Sequence, residues 1–168
     1  MTNIVLTGFM GTGKSTIGRA VAQLLGREFV DTDALIVERH GEIEAIFATL
    51  GEQAFRAMER NIATELADRG DLVVATGGRF MLDPHNRDAL AESVVLRLTA
   101  TEDEIVRRVT ADGIEHRPLL ADADDPRAVV VDLLREREAA YAAFPSIETT
   151  DRTVEEIAAD VVSAAGLD

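Results

Sequence analysis

The residues best suited to chemistry lie close to the start of the chain. In GFMGTGKST, Gly8, Gly13, Lys14 and Ser15 stand at the spacing G-x-x-x-x-G-K-S. Glycines at those positions let backbone N–H groups converge on phosphate oxygens without a Cβ in the way. A helix starting at the lysine end adds its positive dipole. Lys14 has the reach for β- and γ-phosphates, and the Ser15 hydroxyl suits Mg²⁺. The alternative, a ligand-free glycine turn, does not explain the full motif in its strand–loop–helix setting. Lys14 is also the one lysine among 17 basic residues.

Four further clusters follow. Asp31-Thr-Asp33 offers two carboxylates beside the phosphate loop. They suit a magnesium water shell and a hydroxyl nucleophile, and they suit helix N-capping equally well. In Gly51-Glu52-x-x-Phe55-Arg56-x-x-Glu59, Glu59 is placed to fix the Arg56 guanidinium, although an ordinary surface ion pair has the same spacing. Arg137 interrupts a face otherwise formed by Val130, Leu134 and Tyr141. A guanidinium facing inward needs an anionic partner, either a protein carboxylate or a ligand. Arg117-Pro-Leu-Leu120 closes a polar stretch whose arginine either meets a transferring phosphate or sits in solvent. His40, His85 and His116 lack metal-ligand spacing.

These clusters require elements to hold them. Asn3–Thr7, Glu28–Asp31, Leu72–Ala75, Val94–Leu98 and Ser146–Thr150 read as short buried strands. Ile17, Ala20, Val21, Leu24 and Leu25 mark an amphipathic helix after the first. Asp83-Pro84 and Asp125-Pro126 are helix starts, the second opening a helix to about residue 143. Thr101-x-x-Glu104 and Thr153-x-x-Glu156 read as capping boxes. Strands alternating with helices imply a three-layer α/β/α fold on a five-stranded parallel sheet, with ligands at the carboxyl ends of the strands. Residues 1–168 suffice for one domain, with an acceptor region at about 33–60 and a mobile lid at about 112–124.

Composition excludes several classes. A net charge of −14 argues against nucleic acid and anionic membrane as partners. An anionic substrate must then meet a local cluster of arginines. There is no cysteine, hence no disulfide or thiolate chemistry. No targeting pattern or bilayer-length apolar run appears, so a cytoplasmic protein is expected.

Taken in order, these stretches resemble the shikimate kinases, small P-loop kinases of the nucleoside-monophosphate-kinase type. The likeness runs through GFMGTGKST, DTD at 31–33, GEQAFRAME at 51–59, TGG at 76–78, RPLL at 117–120 and REAAY at 137–141. It implies phosphate transfer from ATP to the 3-hydroxyl of shikimate in aromatic amino-acid synthesis, by a cytoplasmic monomer. By the resemblance, Gly11, Thr12, Gly13, Lys14, Ser15 and Thr16 hold ATP, with Arg152 near the adenine. Ser15 and Asp31 serve Mg²⁺. Lys14 and Arg117 stabilise phosphate charge. Asp33 orients or deprotonates the attacking hydroxyl, and Arg56, Arg137 and the Gly78 backbone bind the substrate carboxylate. Related kinases of other hydroxy-acids (gluconate-like or aminoshikimate) and a non-enzymatic nucleotide-binding regulator are the alternatives.

Two positions depart from the family pattern. The third glycine of the family's triple glycine is Arg79, in GGRF. If the backbone there needs a positive φ, Arg79 is strained by ~1 kcal/mol. If its side chain points inward, it adds a cation at the acceptor. Seven residues before Arg117, where some members carry arginine, stands Thr110, with Arg107 and Arg108 nearby as substitutes.

Overall fold

The computed structural model describes residues 2–112 and 124–167. Its parallel strands β1 (Ile4–Thr7), β2 (Glu28–Asp31), β3 (Leu72–Ala75), β4 (Val94–Thr99) and β5 (Ser146–Glu148) form one sheet in the order β2-β3-β1-β4-β5. Helices α1 (Lys14–Leu25), α2 (Thr32–His40), α3 (Ile43–Thr49) and α4 (Glu52–Ala67) lie before β3 in sequence. A 3₁₀ turn (Phe80–Leu82) and α5 (Pro84–Ala89) follow it. Then come α6 (Glu102–Ala111), α7 (Pro126–Tyr141) and α8 (Val154–Ala164). The doubly wound architecture expected from the sequence is what the structure has.

The inner strands β1 and β3 are buried throughout because both faces are covered, while β2, β4 and β5 also carry Glu28, Arg97 and Glu148. Side-chain alternation divides them between two cores. Val5, Val30, Leu72 and Val74 pack with Ile36, Phe55, Leu66 and Phe80 on one face. Ile4, Leu6, Val73, Leu96 and Leu98 pack with Ile17, Val21, Ile157 and Val161 on the other. A third cluster seats Phe9 among Ile105, Val109, Val130 and Tyr141, joining the phosphate loop to α6 and α7.

Register places the site. Leu6 is opposite Ala75, and Ala75 is opposite Asp31. The chain therefore leaves β1, β2 and β3 at one level, and the residues after each exit become neighbours. This is the end of an open α/β sheet where ligands bind.

The helix starts at Asp83 and Asp125 are confirmed: each side chain accepts a backbone N–H, with proline at the first helical position. Thr153–Glu156 is a complete capping box. Thr101–Glu104 is only half of one. The Thr101 hydroxyl caps α6, but the Glu104 carboxylate turns to Arg107 and Arg108, and the Thr101 N–H goes to Thr150 Oγ1. Two nearby guanidiniums outcompete one neutral backbone donor for a carboxylate.

Candidate active site

The phosphate loop is built by close approach. Gly8 has φ +135°, and a Cβ there would sit 2.4 Å from the Leu98 carbonyl oxygen. No other residue fits without moving β4. Gly13 caps α1 in a left-handed conformation, φ 90°. The loop then folds onto its own backbone: Thr12 Oγ1 and Lys14 Nζ both donate to the Phe9 carbonyl, each at 2.8 Å. Ser15 Oγ donates to Asp31 Oδ2 at 2.5 Å.

Asp31 performs both tasks that its sequence position allowed. Its Oδ1 caps α2 by accepting from the N–H groups of Asp33 and Ala34. Its Oδ2 faces Ser15 across the sheet. A hydroxyl and a carboxylate oxygen held together beside a phosphate loop fit Mg²⁺, a hard cation usually bound by one or two protein oxygens plus phosphates and water. Among the described residues no group of three or more His, Cys, Asp or Glu side chains is arranged to hold a metal alone.

Asp33 lies one helical step further in. Its Oδ1 is buried without a hydrogen-bond partner. Burial, and secondarily the Asp31 charge, push its pKa up, against the opposing pull of Lys14 and Arg56. So Lys14 and Arg56 both act on the carboxylate electrostatically. Gly77 is what makes room for it: a Cβ on Gly77 would lie 2.6 Å from Asp33 Oδ1. The Gly77 N–H donates to Thr32 Oγ1 at 3.0 Å, pinning the loop after β3 to the start of α2. Gly78 is not crowded in that way; a Cβ there would make ordinary contact with Arg137 Nη1 at 3.5 Å.

Two arginines converge on this loop. Arg56 Nη1 donates to Glu59 Oε2 at 2.6 Å, and its Nε and Nη2 reach Glu52 Oε1 at 3.3 and 3.2 Å. The sequence left this open as a surface pair, and burial decides against it. Glu59 is only 1% exposed. That burial outweighs the attraction of Arg56 and raises the Glu59 pKa to about 7. Arg137 is 9% exposed, over the Phe9 ring at 5.5 Å, and among the described residues no carboxylate pairs with it. The Tyr141 hydroxyl one turn on donates to the Gly78 carbonyl. This holds the glycine loop to the helix that carries Arg137.

On the opposite side a cavity of 350 Å³ opens between the phosphate loop, α6 and the β5–α8 loop. Gly11, Thr12, Gly13 and Thr16 line it, with Arg107, Arg108, Thr149 and Arg152. Of the two arginines near Thr110, Arg108 is the one bonded to the phosphate loop. Its Nη1 donates to the Gly11 carbonyl at 3.2 Å and to Thr149 Oγ1 at 3.0 Å, and its Nε reaches Glu104 at 2.7 Å. Arg107 is bound to Glu104 and largely exposed. Arg152 is tied to Asp160 and to the Glu148 carbonyl at the cavity's edge. Thr110 bonds back to its own helix.

The structure thus brings together Lys14, Ser15, Asp31, Asp33, Arg56, Gly78 and Arg137, with Arg152 at the edge of the cavity. Arg117, the RPLL stretch and nearly all of the expected lid lie outside the described residues. His40 and His85 are exposed. Sequence reading marked Gly77 only as part of TGG at 76–78 and gave it no role of its own; that role is visible only once Asp33 is beside it. It raised Arg108 only as one of two substitutes.

A parallel sheet with a phosphate loop after its central strand, an orphaned carboxylate beyond the lysine and arginines across from it is a P-loop phosphotransferase for a small anionic acceptor. Comparison with known proteins agrees. The family model for shikimate kinase matches residues 10–165. The chain is 44% identical over 164 residues to the shikimate kinase of Geobacter sulfurreducens, covering 96% of this chain and 89% of that protein. It is 40% identical over 166 residues to that of Caldanaerobacter subterraneus, covering 98% and 96%. Among solved structures, shikimate kinase from Acinetobacter baumannii in complex with shikimate superposes with a TM-score of 0.88 at 36% identity, covering 97% of this chain and 92% of that one. This chain belongs to the shikimate kinase family and is an ATP-dependent kinase. A gluconokinase from Sinorhizobium meliloti, at 21% identity and TM-score 0.64, shares the fold alone.

Proposed function

We propose that the chain moves the γ-phosphate of ATP to the 3-hydroxyl of shikimate with the residues gathered at this sheet end. The observation that carries the division of labour is the buried, unpartnered Asp33 Oδ1, acted on by Lys14 on one side and Arg56 on the other. A substrate hydroxyl is the group that satisfies it. The raised pKa suits Asp33 to accept the proton of that hydroxyl as it attacks, because a carboxylate nearer neutrality is a better base.

The other roles follow from charge and geometry. Arg137, buried without a carboxylate among the described residues, is open to the acceptor's carboxylate, with Arg56 and the Gly78 backbone beside it. Gly11, Thr12, Gly13 and Thr16 line the nucleotide cavity. Lys14 exchanges the Phe9 carbonyl for phosphate oxygens, and Arg117 supplies a second cation to the transferring group. Arg152 flanks the base. Ser15 and Asp31 would hold Mg²⁺, which would offset phosphate charge when bound. The whole chain is read as one catalytic domain, with a lid at about 112–124, acting as a cytoplasmic monomer. Among the described residues no helix is long and apolar enough to cross a membrane.

The test is ADP release from ATP and Mg²⁺, with and without shikimate, with gluconate as the comparison acceptor. Turnover that depends on shikimate and not on gluconate is expected. ATP binding without shikimate-dependent turnover would overturn the reading.

A further inference from the structure

Arg79 stands where the resemblance led us to expect glycine, and its conformation removes the concern about strain. Its φ is −104° and ψ −2°, ordinary right-handed backbone that any residue adopts. Its side chain does not enter the carboxylate pocket. Nη1 instead reaches Glu52 Oε1 at 3.3 Å, with both side chains about half exposed. That same oxygen accepts from Arg56 Nε and Nη2.

The charge count at this rim follows. Arg56 is contacted by two carboxylates, Glu52 and the buried Glu59. Without Arg79, that group of three carries a net negative charge whenever Glu59 is ionised, and an acceptor carboxylate must then approach a guanidinium already over-matched. With Arg79 and an ionised Glu59 the count is two and two. We propose that Arg79 is a positioning residue of the acceptor site: by sharing Glu52 with Arg56, it neutralises the second carboxylate on Arg56 and leaves that guanidinium available to an anionic substrate. It acts through Glu52 and does not touch the substrate. The inference rests on the shikimate reading above.

The experiment is a cycle of Arg79→Gln, Glu52→Gln and the double variant, with Arg79→Lys as the conservative control and thermal melts to confirm folding. The acceptor KM, the ATP KM and kcat are measured at low salt and at ~0.5 M salt, where exposed charges are screened. Exposed pairs act weakly, so R79Q should raise the shikimate KM about three- to fivefold at low salt. Its kcat should stay within about twofold, because an interaction equal in ground and transition states moves KM alone. Glu52→Gln in the R79Q background should restore the KM, R79K should resemble the parent, and high salt should shrink the effect. A loop-shape role for Arg79 would not be relieved by removing the Glu52 charge. An unchanged or lowered KM in R79Q, or no relief from Glu52→Gln, overturns the inference while leaving the function intact. A parent that does not turn over shikimate overturns both.

Discussion

The two halves of the site are built from different materials. The nucleotide half is mostly backbone: glycines pressed against β4 and α6, carbonyls that anchor Lys14 and Arg108, and the start of α1. The acceptor half is side chain: one orphaned carboxylate, two arginines and the carboxylates that restrain one of them. Backbone recognition suits a ligand common to many enzymes, since a triphosphate presents the same oxygens everywhere. Side-chain recognition can be retuned one residue at a time. The departure at Arg79 lies on the acceptor half and leaves the phosphate loop untouched.

The sharpest way to separate the halves is Asp33→Asn. The amide keeps the shape and removes the base, so kcat should fall about 10²–10⁴-fold. ATP affinity by calorimetry should stay within about twofold, because Asp33 is assigned no phosphate contact. A matching loss of ATP binding would mean the halves are not separable at this residue. Gly77→Ala probes the same carboxylate from the opposite wall. The added Cβ meets Asp33 Oδ1 at 2.6 Å and must displace it. Displacement by roughly 1 Å costs about 10²-fold in rate. Gly78→Ala, with only ordinary contacts in this structure, should cost much less. Equal losses in the two alanine variants would show that the loop itself, and not Asp33, carries the effect.

This contrast also explains what could be read from the sequence. Backbone cradles need glycines at fixed local spacing, so the phosphate loop was legible as a contiguous string. The sheet followed from apolar runs, and its strand ends came within two residues because strands buried on both faces stand out. The acceptor half draws on positions 33, 56, 78 and 137: the β2–β3 register joins 33 to 78, while packing of α4 and the Tyr141–Gly78 bond bring in 56 and 137. Residue type suggested each, but no spacing joined them without the family resemblance. Glu59 was underestimated because i,i+3 spacing does not reveal burial, and the wall above it is formed by distant elements. Gly77 looked like half of a glycine pair until Asp33 was placed against it.

A smaller effect tests the nucleotide side. Arg108→Gln removes a guanidinium that ties the Gly11 carbonyl to Thr149 and Glu104. The phosphate loop keeps its own glycine geometry, so only the base side should loosen. The KM for ATP should rise about three- to tenfold, on the order of 1 kcal/mol for one lost charge-assisted bond. The shikimate KM should not move. A larger shift on the acceptor side would show that the third apolar cluster, which couples Phe9 to α6 and α7, links the halves.

The mildest prediction concerns pH. Glu59 has an ordinary value of 4.5 and is raised by burial to about 7 in the folded chain, despite Arg56. The folded state therefore holds this proton more tightly than the unfolded one. Stability from that difference is fully present below about pH 4.5 and is lost as pH rises through about 7. Glu59→Gln is neutral throughout and removes the dependence. The melting temperature of the parent minus that of Glu59→Gln should thus fall between pH 5 and 8 (about the span from the unfolded to the folded pKa). A flat difference would mean that Arg56 keeps Glu59 ionised across the range. The acceptor half would then carry a fixed charge count, where a raised Glu59 makes that count change near neutrality.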